Sequence, residues 1–453
     1  MSAKRQKKYK SEIFRQELLK QIFSGELKVG DSLGPCRELS EKYNLSYVTV
    51  INVIKKLCED GYLETRQGKG TTIKSANPSR EIGKKSCRIL IYEPVISNKT
   101  WSSFLKSNPD ICDFYPKFVL HYKSLLEKEN LDFHPDFIYT NDDLVKTMAS
   151  RDILAPLDDE TIKAAQIDLS LYEPEILEML SYKGQLYALP FCFSNLALFY
   201  NKDIFDSAGI KYPAPDWKWK DLLDTAEKLT VREKNGRVKH YGFLSYFNTS
   251  SMKSFYVQGF PPEYDLEKVL KTKKYPDGLN IFLDILNIRH ITPFIQNNED
   301  FATDIFLNGT AAMIVCKYDM VKKLSAGKFR WGLTQMPAGR RKYSSCAVQG
   351  FGIVQNSKCT PENGIILQKI CGNNMQMINL QNLGHIPAYT KLAKKTAFSN
   401  IFISQLPSSG NLFINYSENE EKINNLLYKM LIGLLLPEEI IGELKRMQSS
   451  ILT

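Results

Sequence analysis

The chain has 453 residues, 43% apolar and 24% charged, an ordinary globular composition with room for two or three domains, which excludes a disordered chain and one that needs covalent staples. Its net charge of +10 is uneven: residues 1–86 hold 18 Lys and Arg against 10 acidic residues, a net of +8, and the remainder is nearly neutral. A basic first fifth suits a phosphate backbone, while a neutral body suits another task.

Residues 9–23 predict a helix, with Ile13, Phe14, Leu18, Leu19, Ile22 and Phe23 at helical spacing and Gly25 as its stop. Residues 28–35 read as a turn, after which Pro35 opens a second helix with Arg37 in its first turn and Leu39 and Tyr43 inward. Asn44 is expected in the left-handed conformation between this helix and the next. The third helix begins Leu45-Ser46-Tyr47-Val48-Thr49-Val50 and buries Val50, Val53, Ile54 and Leu57, with Ile51 a further core candidate. That leaves Ser46, Tyr47, Thr49 and Asn52 on its other side, where a recognition helix meets base edges and Asn can pair bidentately with adenine. Residues 62–73 form a hairpin in which Gly68 and Gly70 permit a tight turn and Lys69 projects toward a phosphate or the minor groove. Helix, helix-turn-helix and hairpin follow the order of a winged-helix DNA reader; protein contact alone is the blander use of the same fold.

These stretches resemble the GntR-family winged helix over about 65 residues: Gly25-Glu26-Leu27 through Gly30-Asp31, Cys36-Arg37-Glu38-Leu39-Ser40, Leu45-Ser46 with Thr49-Val50, Gly61-Tyr62-Leu63 and Gln67-Gly68-Lys69-Gly70-Thr71. The resemblance implies DNA contact by Arg37, Ser46, Thr49, Gly68 and Lys69, to which the helix reading adds Tyr47 and Asn52. Tyr47 and Ile51 stand where the family usually has arginine, so base preference does not carry over.

Residues 76–86 are polar, carry Pro and Gly, and read as a linker between a DNA-binding domain at 1–75 and a body at 87–453. In the body, residues 87–92 and 136–140 are strand signals with helical stretches between and after, the alternation of an α/β domain. Tyr182-Lys183-Gly184-Gln185-Leu186-Tyr187-Ala188-Leu189-Pro190 and Leu198-Phe199-Tyr200-Asn201-Lys202 are followed by Phe306-Leu307-Asn308-Gly309-Thr310-Ala311-Ala312-Met313, Gly350-Phe351-Gly352 and His385-Ile386-Pro387-Ala388. In that order they resemble the extracellular solute-binding proteins of the sugar-importing type.

The resemblance implies a two-lobed α/β domain of the periplasmic-binding-protein type II class, the ligand between lobes that close on it. One lobe is expected at about 87–195 and 334–356, the other at about 196–333 and 357–453, with crossings near 191–196, 333–337 and 354–357. Sugars are held by aromatic faces and a few polar forks at strand ends. The candidates are Asn141, Asp142, Phe191, Phe193, Ser194, Tyr246, Phe247, Tyr318, Asp319 and Gln349; core packing is the alternative for each aromatic. The family often has a tryptophan near Tyr318, absent here, so a non-sugar ligand stays open.

The nine cysteines are odd in number with no Cys-x-x-Cys pair, and the five histidines lack metal-ligand spacing, so neither disulfides nor a metal are expected. The N-terminus is charged at once and lacks an apolar run, which predicts no secretory signal and a cytoplasmic protein. No paired-carboxylate stretch, nucleophile elbow or phosphate loop argues for an enzyme. A pyridoxal-phosphate body, with Lys358 as its Schiff base, lacks the aspartate strand it needs. The expectation is a DNA-binding regulator without a cofactor, acting as a homodimer on an operator and controlled by a small molecule, a sugar or oligosaccharide, with no membrane partner. The alternative is a body that binds no ligand and serves dimerisation or a protein partner.

Overall fold

The computed structural model describes residues 26–59, 62–66, 70–74, 86–109, 113–127, 133–245, 277–295, 298–357, 361–410 and 416–449, with scattered positions among 11–22, at 130 and among 254–259. The expected linker lies outside the described residues apart from Ser86. The chain divides into two compact units, residues 1–93 with 108–138, and residues 94–107 with 139–453.

In the first unit, Phe14, Leu18 and Ile22 are helical and buried, as the opening periodicity predicts. Helices α1 (Cys36–Lys42) and α2 (Tyr47–Glu59) pack against each other, and Asn44 between them has a φ of 48°. The turn is clamped by Ser40, whose hydroxyl donates to the Leu45 carbonyl at 2.5 Å. Strands β1 (Leu63–Arg66) and β2 (Gly70–Ile73) form the expected antiparallel hairpin, with Leu63 opposite Ile73. The stretch read as a simple turn also serves the hairpin: Ser32 bridges Thr72, and the Leu33 amide donates to the Thr71 carbonyl at 2.9 Å. Val50, Val53, Ile54, Leu57, Tyr62 and Ile73 close the core. Ile51 is a correction: it is 40% exposed, because it faces away from the stripe its neighbours bury.

Strand β3 (Ser86–Tyr92) pairs in parallel along its whole length with β4 (Asp113–Val119) and, through Ile89 and Leu90, with the start of β5 (Phe137–Asn141). Tyr115 on β4 packs against the winged-helix core, its ring centroid 5.3 Å from that of buried Tyr62 in an edge-on contact.

The second unit carries two lobes. Its first-lobe helices include α3 (Asn98–Ser107), α4 (Leu144–Ser150) and α5 (Asp159–Ala164). Strand β6 (Leu189–Asn195) leads through Leu196 into β7 (Ala197–Asn201), the centre of the second lobe's sheet. Strands β8 (Met313–Cys316) and β9 (Trp331–Gln335) flank β7, both antiparallel. Helices α6 (Trp219–Leu229) and α7 (Asp277–Leu283) bury Leu222, Ala226 and Phe282 in the core that Leu198 and Met313 share. Gly242 lies so close to α6 that an added methyl would overlap the Ala226 carbonyl. Helix α8 (Asp319–Leu324) follows β8.

The chain returns as β10 (Ser344–Ile353), antiparallel to β6. Then come α9 (Pro361–Ile370), α10 (Asn373–Leu383), β11 (Ile386–Pro387) and α11 (Thr390–Lys395). Helix α9 packs on α5 and β10, α10 on α3, and β11 on β6, so the first-lobe order is β11-β6-β10-β5. Residues 361–395 therefore belong to the first lobe, which corrects the expected assignment of 357–453 to the second and the expected crossing at 354–357. The third crossing is the segment with α12 (Ser399–Ile403) and β12 (Ser409–Gly410), after which α13 (Tyr416–Leu431) and α14 (Pro437–Ser449) complete the second-lobe core with Leu427, Met430 and Ile440. Among the described residues, no helix is long and apolar enough to cross a membrane and no cluster of metal-ligating side chains occurs.

Candidate functional site

The candidate nucleic-acid face is built on α1 and α2. Arg37 stands exposed in the first turn of α1. Ser46 precedes α2, and its hydroxyl oxygen lies 3.3 Å from the Thr49 amide and 2.7 Å from the Thr49 hydroxyl. That pairing satisfies the start of the helix and leaves Thr49 only 7% exposed, so both residues set where the helix begins. Tyr47 and Asn52 are exposed. Gly68 and Lys69 lie outside the described residues.

The expected ligand residues divide by location. Asn141 ends β5, and its side-chain oxygen accepts from the amides of Asp143 at 3.1 Å and Leu144 at 2.8 Å, capping α4. Asp142 accepts from the Val348 amide at 3.1 Å and donates its own amide to the Val348 carbonyl at 3.0 Å. Phe191 and Phe193 are buried in the first lobe, Phe191 edge-on to Phe351. The half-buried Gln349 accepts from the Cys192 thiol at 2.8 Å. Tyr246 and Phe247 lie outside the described residues.

The structure brings two of the set together across the lobes. Ser194 near the end of β6 accepts from the backbone amide of Tyr318, just past β8, at 2.9 Å. Tyr318 is buried, donates its hydroxyl to the Ala397 carbonyl at 2.7 Å and meets the Phe402 ring edge-on at 5.2 Å; burial pushes its phenol up to about 12. Asp319 is half-buried and pairs with Lys323 at 3.0 Å.

Around that contact the three crossings are tied together by side chains absent from the expected set. The Ser344 hydroxyl is bonded to both the amide and the carbonyl of Leu196, at 2.9 and 3.0 Å. Gln405 donates to the Leu196 carbonyl and accepts from the Met336 amide, both at 3.1 Å. Asn195 donates to the Phe402 carbonyl at 2.9 Å. Asn195, Ser344 and Gln405 are all nearly inaccessible. Polar groups at that depth are retained where each finds its partners, and here they hold three backbone crossings at one point. No local sequence pattern marks Ser344 or Gln405, each of which stands beside a further serine. A second link between lobes is Lys322 of α8, which donates to the carbonyls of Gln381 and Asn382 at the C-terminus of α10, both at 2.6 Å, where a cation complements the helix dipole.

His385 lies beside this link, with its Nδ1 3.1 Å from the Asn379 amide nitrogen. Burial pushes the imidazole down to about 4; Asp319 opposes the shift, while Lys317 and Lys322 add to it. The native state thus disfavours the protonated ring relative to its ordinary value of 6.5. The stability from this group is full above that value and is lost as pH falls toward the native value. His385→Gln should flatten the fall in melting temperature between about pH 7 and about pH 4 relative to the parent; equally steep profiles would contradict this.

Comparison with known proteins follows the same division. The family described as bacterial extracellular solute-binding protein matches residues 132–362, just over half of the chain, and bacterial regulatory proteins, gntR family, match residues 11–73. Both are regulator or solute-binding families. Over 216 residues the chain is 26% identical to the sn-glycerol-3-phosphate-binding periplasmic protein UgpB of Escherichia coli (strain K12), covering 42% of this chain and 45% of that protein. The chain thus spans less than half the length of that curated relative. Over 69 residues it is 44% identical to the uncharacterized HTH-type transcriptional regulator YurK of Bacillus subtilis (strain 168), covering 14% of this chain and 28% of that one. Among solved structures, the ABC substrate-binding protein Lmo0181 from Listeria monocytogenes, in complex with cycloalternan, superposes with a TM-score of 0.68 at 20% identity, over 82% of this chain and 99% of that one. UgpB from Mycobacterium tuberculosis, in complex with glycerophosphocholine, gives 0.65 at 14% identity over 82% and 99%. At these identities the likeness shows the fold.

Proposed function

Because the chain belongs to the bacterial extracellular solute-binding protein family and carries a gntR-family helix-turn-helix domain, we propose that it is a transcriptional regulator whose operator affinity is set by a small molecule, a sugar or oligosaccharide, held between the lobes of its C-terminal domain. The observation that carries this reading is the union in one chain of an exposed recognition helix and a two-lobed solute-binding fold. In it, residues 1–75 grip DNA, 76–86 connect, and 87–453 sense. The protein works in the cytoplasm as a homodimer, since helix-turn-helix readers commonly span two half-sites.

Ser194, Tyr318, Asp319 and Gln349 are the side chains we assign to the ligand. Asn141, Asp142, Phe191 and Phe193 build the first-lobe framework behind them. Binding closes the lobes about the point where Leu196, Ser344 and Gln405 meet, and favours one of two arrangements. The edge-on contact of Tyr115 with Tyr62 offers a route from sensor strand to winged-helix core.

A thermal-shift screen tests the sensor. Mono- and oligosaccharides belong in it, as do glycerol phosphates and glycerophosphodiesters, the ligand class in the names of the UgpB relatives. A ligand that binds the native state alone raises the melting temperature. A screen without a stabilising compound would select the second reading, a body for dimerisation or a protein partner. That reading is favoured by one observation: Phe191, Phe193 and Tyr318, the described aromatics of the expected set, are all buried.

A further inference from the structure

The first two turns of α2 present an apolar surface to solvent. Tyr47 is 48% exposed, Val48 61% and Ile51 40%, whereas Val50, Val53, Ile54 and Leu57 on the other side are 8% exposed or less. At 100° per residue, Tyr47, Ile51 and Val48 span an arc of about 100° that runs from the edge of the core stripe at Tyr47 to the side opposite it at Val48. Exposed Lys55 continues that arc one turn later, and exposed Asn52 lies beside it. Single exposed apolar residues are ordinary, but three adjoining ones on the element that a helix-turn-helix inserts into the major groove have a specific use. Of the base edges in that groove, thymine alone presents a methyl group, and aliphatic side chains read it by contact.

Resting on the DNA-binding reading above, we propose that Val48 and Ile51, with the ring of Tyr47, form a site for thymine methyl groups, so that the operator half-site carries thymines under the start of α2. Duplex DNA is the occupant that the surrounding charge favours: on α1 exposed Arg37 and Lys42 balance exposed Glu38 and Glu41, and exposed Lys55 and Lys56 on α2 leave the face positive, where ammonium and guanidinium groups suit the phosphates on either side of the groove. Arginine at positions 47 and 51 would select guanine; aliphatic and aromatic groups there forgo that contact and gain the methyl.

The test removes only methyl groups. A duplex is selected from a random library with the full-length protein, and its half-site thymines are replaced one at a time by deoxyuridine. The parent protein should bind the substituted duplex about fourfold more weakly for each contacted methyl, the worth of one buried methylene-sized group. Val48→Ala and Ile51→Ala should each bind the thymine and uracil forms alike at one position. Both replace exposed side chains within a helix by its best former, so their melting temperatures should match the parent's. Equal affinity of the parent for thymine and uracil duplexes overturns the proposal alone, as does an undiminished thymine preference in both variants. Failure of the library to enrich any duplex overturns the DNA-binding reading and the proposal with it.

Discussion

Arg37→Ala is expected to weaken binding of the full-length protein to its operator by about 5- to 150-fold, the range that loss of one well-placed arginine contact of about 1–3 kcal/mol produces. The position supports so large an effect. Arg37 stands in the first turn of α1, held by Leu39 of the same helix in the winged-helix core and by the Ser40 clamp on Leu45. Its side chain is exposed, so removing it leaves no cavity and should leave the melting temperature unchanged. Fluorescence anisotropy with a labelled operator duplex measures the loss. If Arg37 meets phosphate, the salt slope should also fall by about one unit. An unaltered affinity in a folded variant would remove α1 from the DNA interface.

Tyr115→Ala should separate sensing from DNA binding. In the parent, saturating effector is expected to change operator affinity by about 5- to 150-fold, the usual span of coupling between two sites. In the variant that factor should approach one, while operator affinity without effector and effector affinity without DNA each hold near the parent's. The ring of Tyr115 rests edge-on against buried Tyr62, which is continuous with the strand β1 of the wing, and Tyr115 itself lies on β4, which pairs with β3. Aromatic contacts of this geometry contribute about 0.5–1.5 kcal/mol beyond their buried area, enough to bias two arrangements of similar energy. Tyr115→Phe keeps the ring and should keep the response. A full effector response in Tyr115→Ala would show that the signal travels elsewhere.

The DNA-binding head was legible because its signals are local. Asn44 between two short helices, the stripe of Val50, Val53, Ile54 and Leu57, and the glycine-bearing hairpin each fix their own conformation within a few residues. The strands β3 and β5 were equally plain as short apolar runs. The third crossing was hidden for a physical reason. Helix α10 reads Asn-Asn-Met-Gln-Met-Ile-Asn-Leu-Gln-Asn-Leu, with apolar residues on every side and Gln376 and Asn379 buried, so no stripe tells which lobe it covers. The burial of Phe191 and Phe193 was not legible for a related reason. Strand β6 is buried on both faces, and alternation cannot mark an outward side chain there. The hinge side chains Ser344 and Gln405 draw their role from backbone groups 148 and 209 residues away in sequence, a distance over which no local pattern speaks.

Operator affinity measured while titrating a ligand that stabilises the protein addresses the union of sensor and head most directly. The same full-length protein, a labelled operator and calorimetry of the ligand with and without saturating DNA suffice. The expected result is a shift in operator affinity of about 5- to 150-fold, and an equal factor in ligand affinity when DNA is bound, because the coupling is reciprocal. A ligand that binds and raises the melting temperature, yet leaves operator affinity unmoved at saturation, would contradict it.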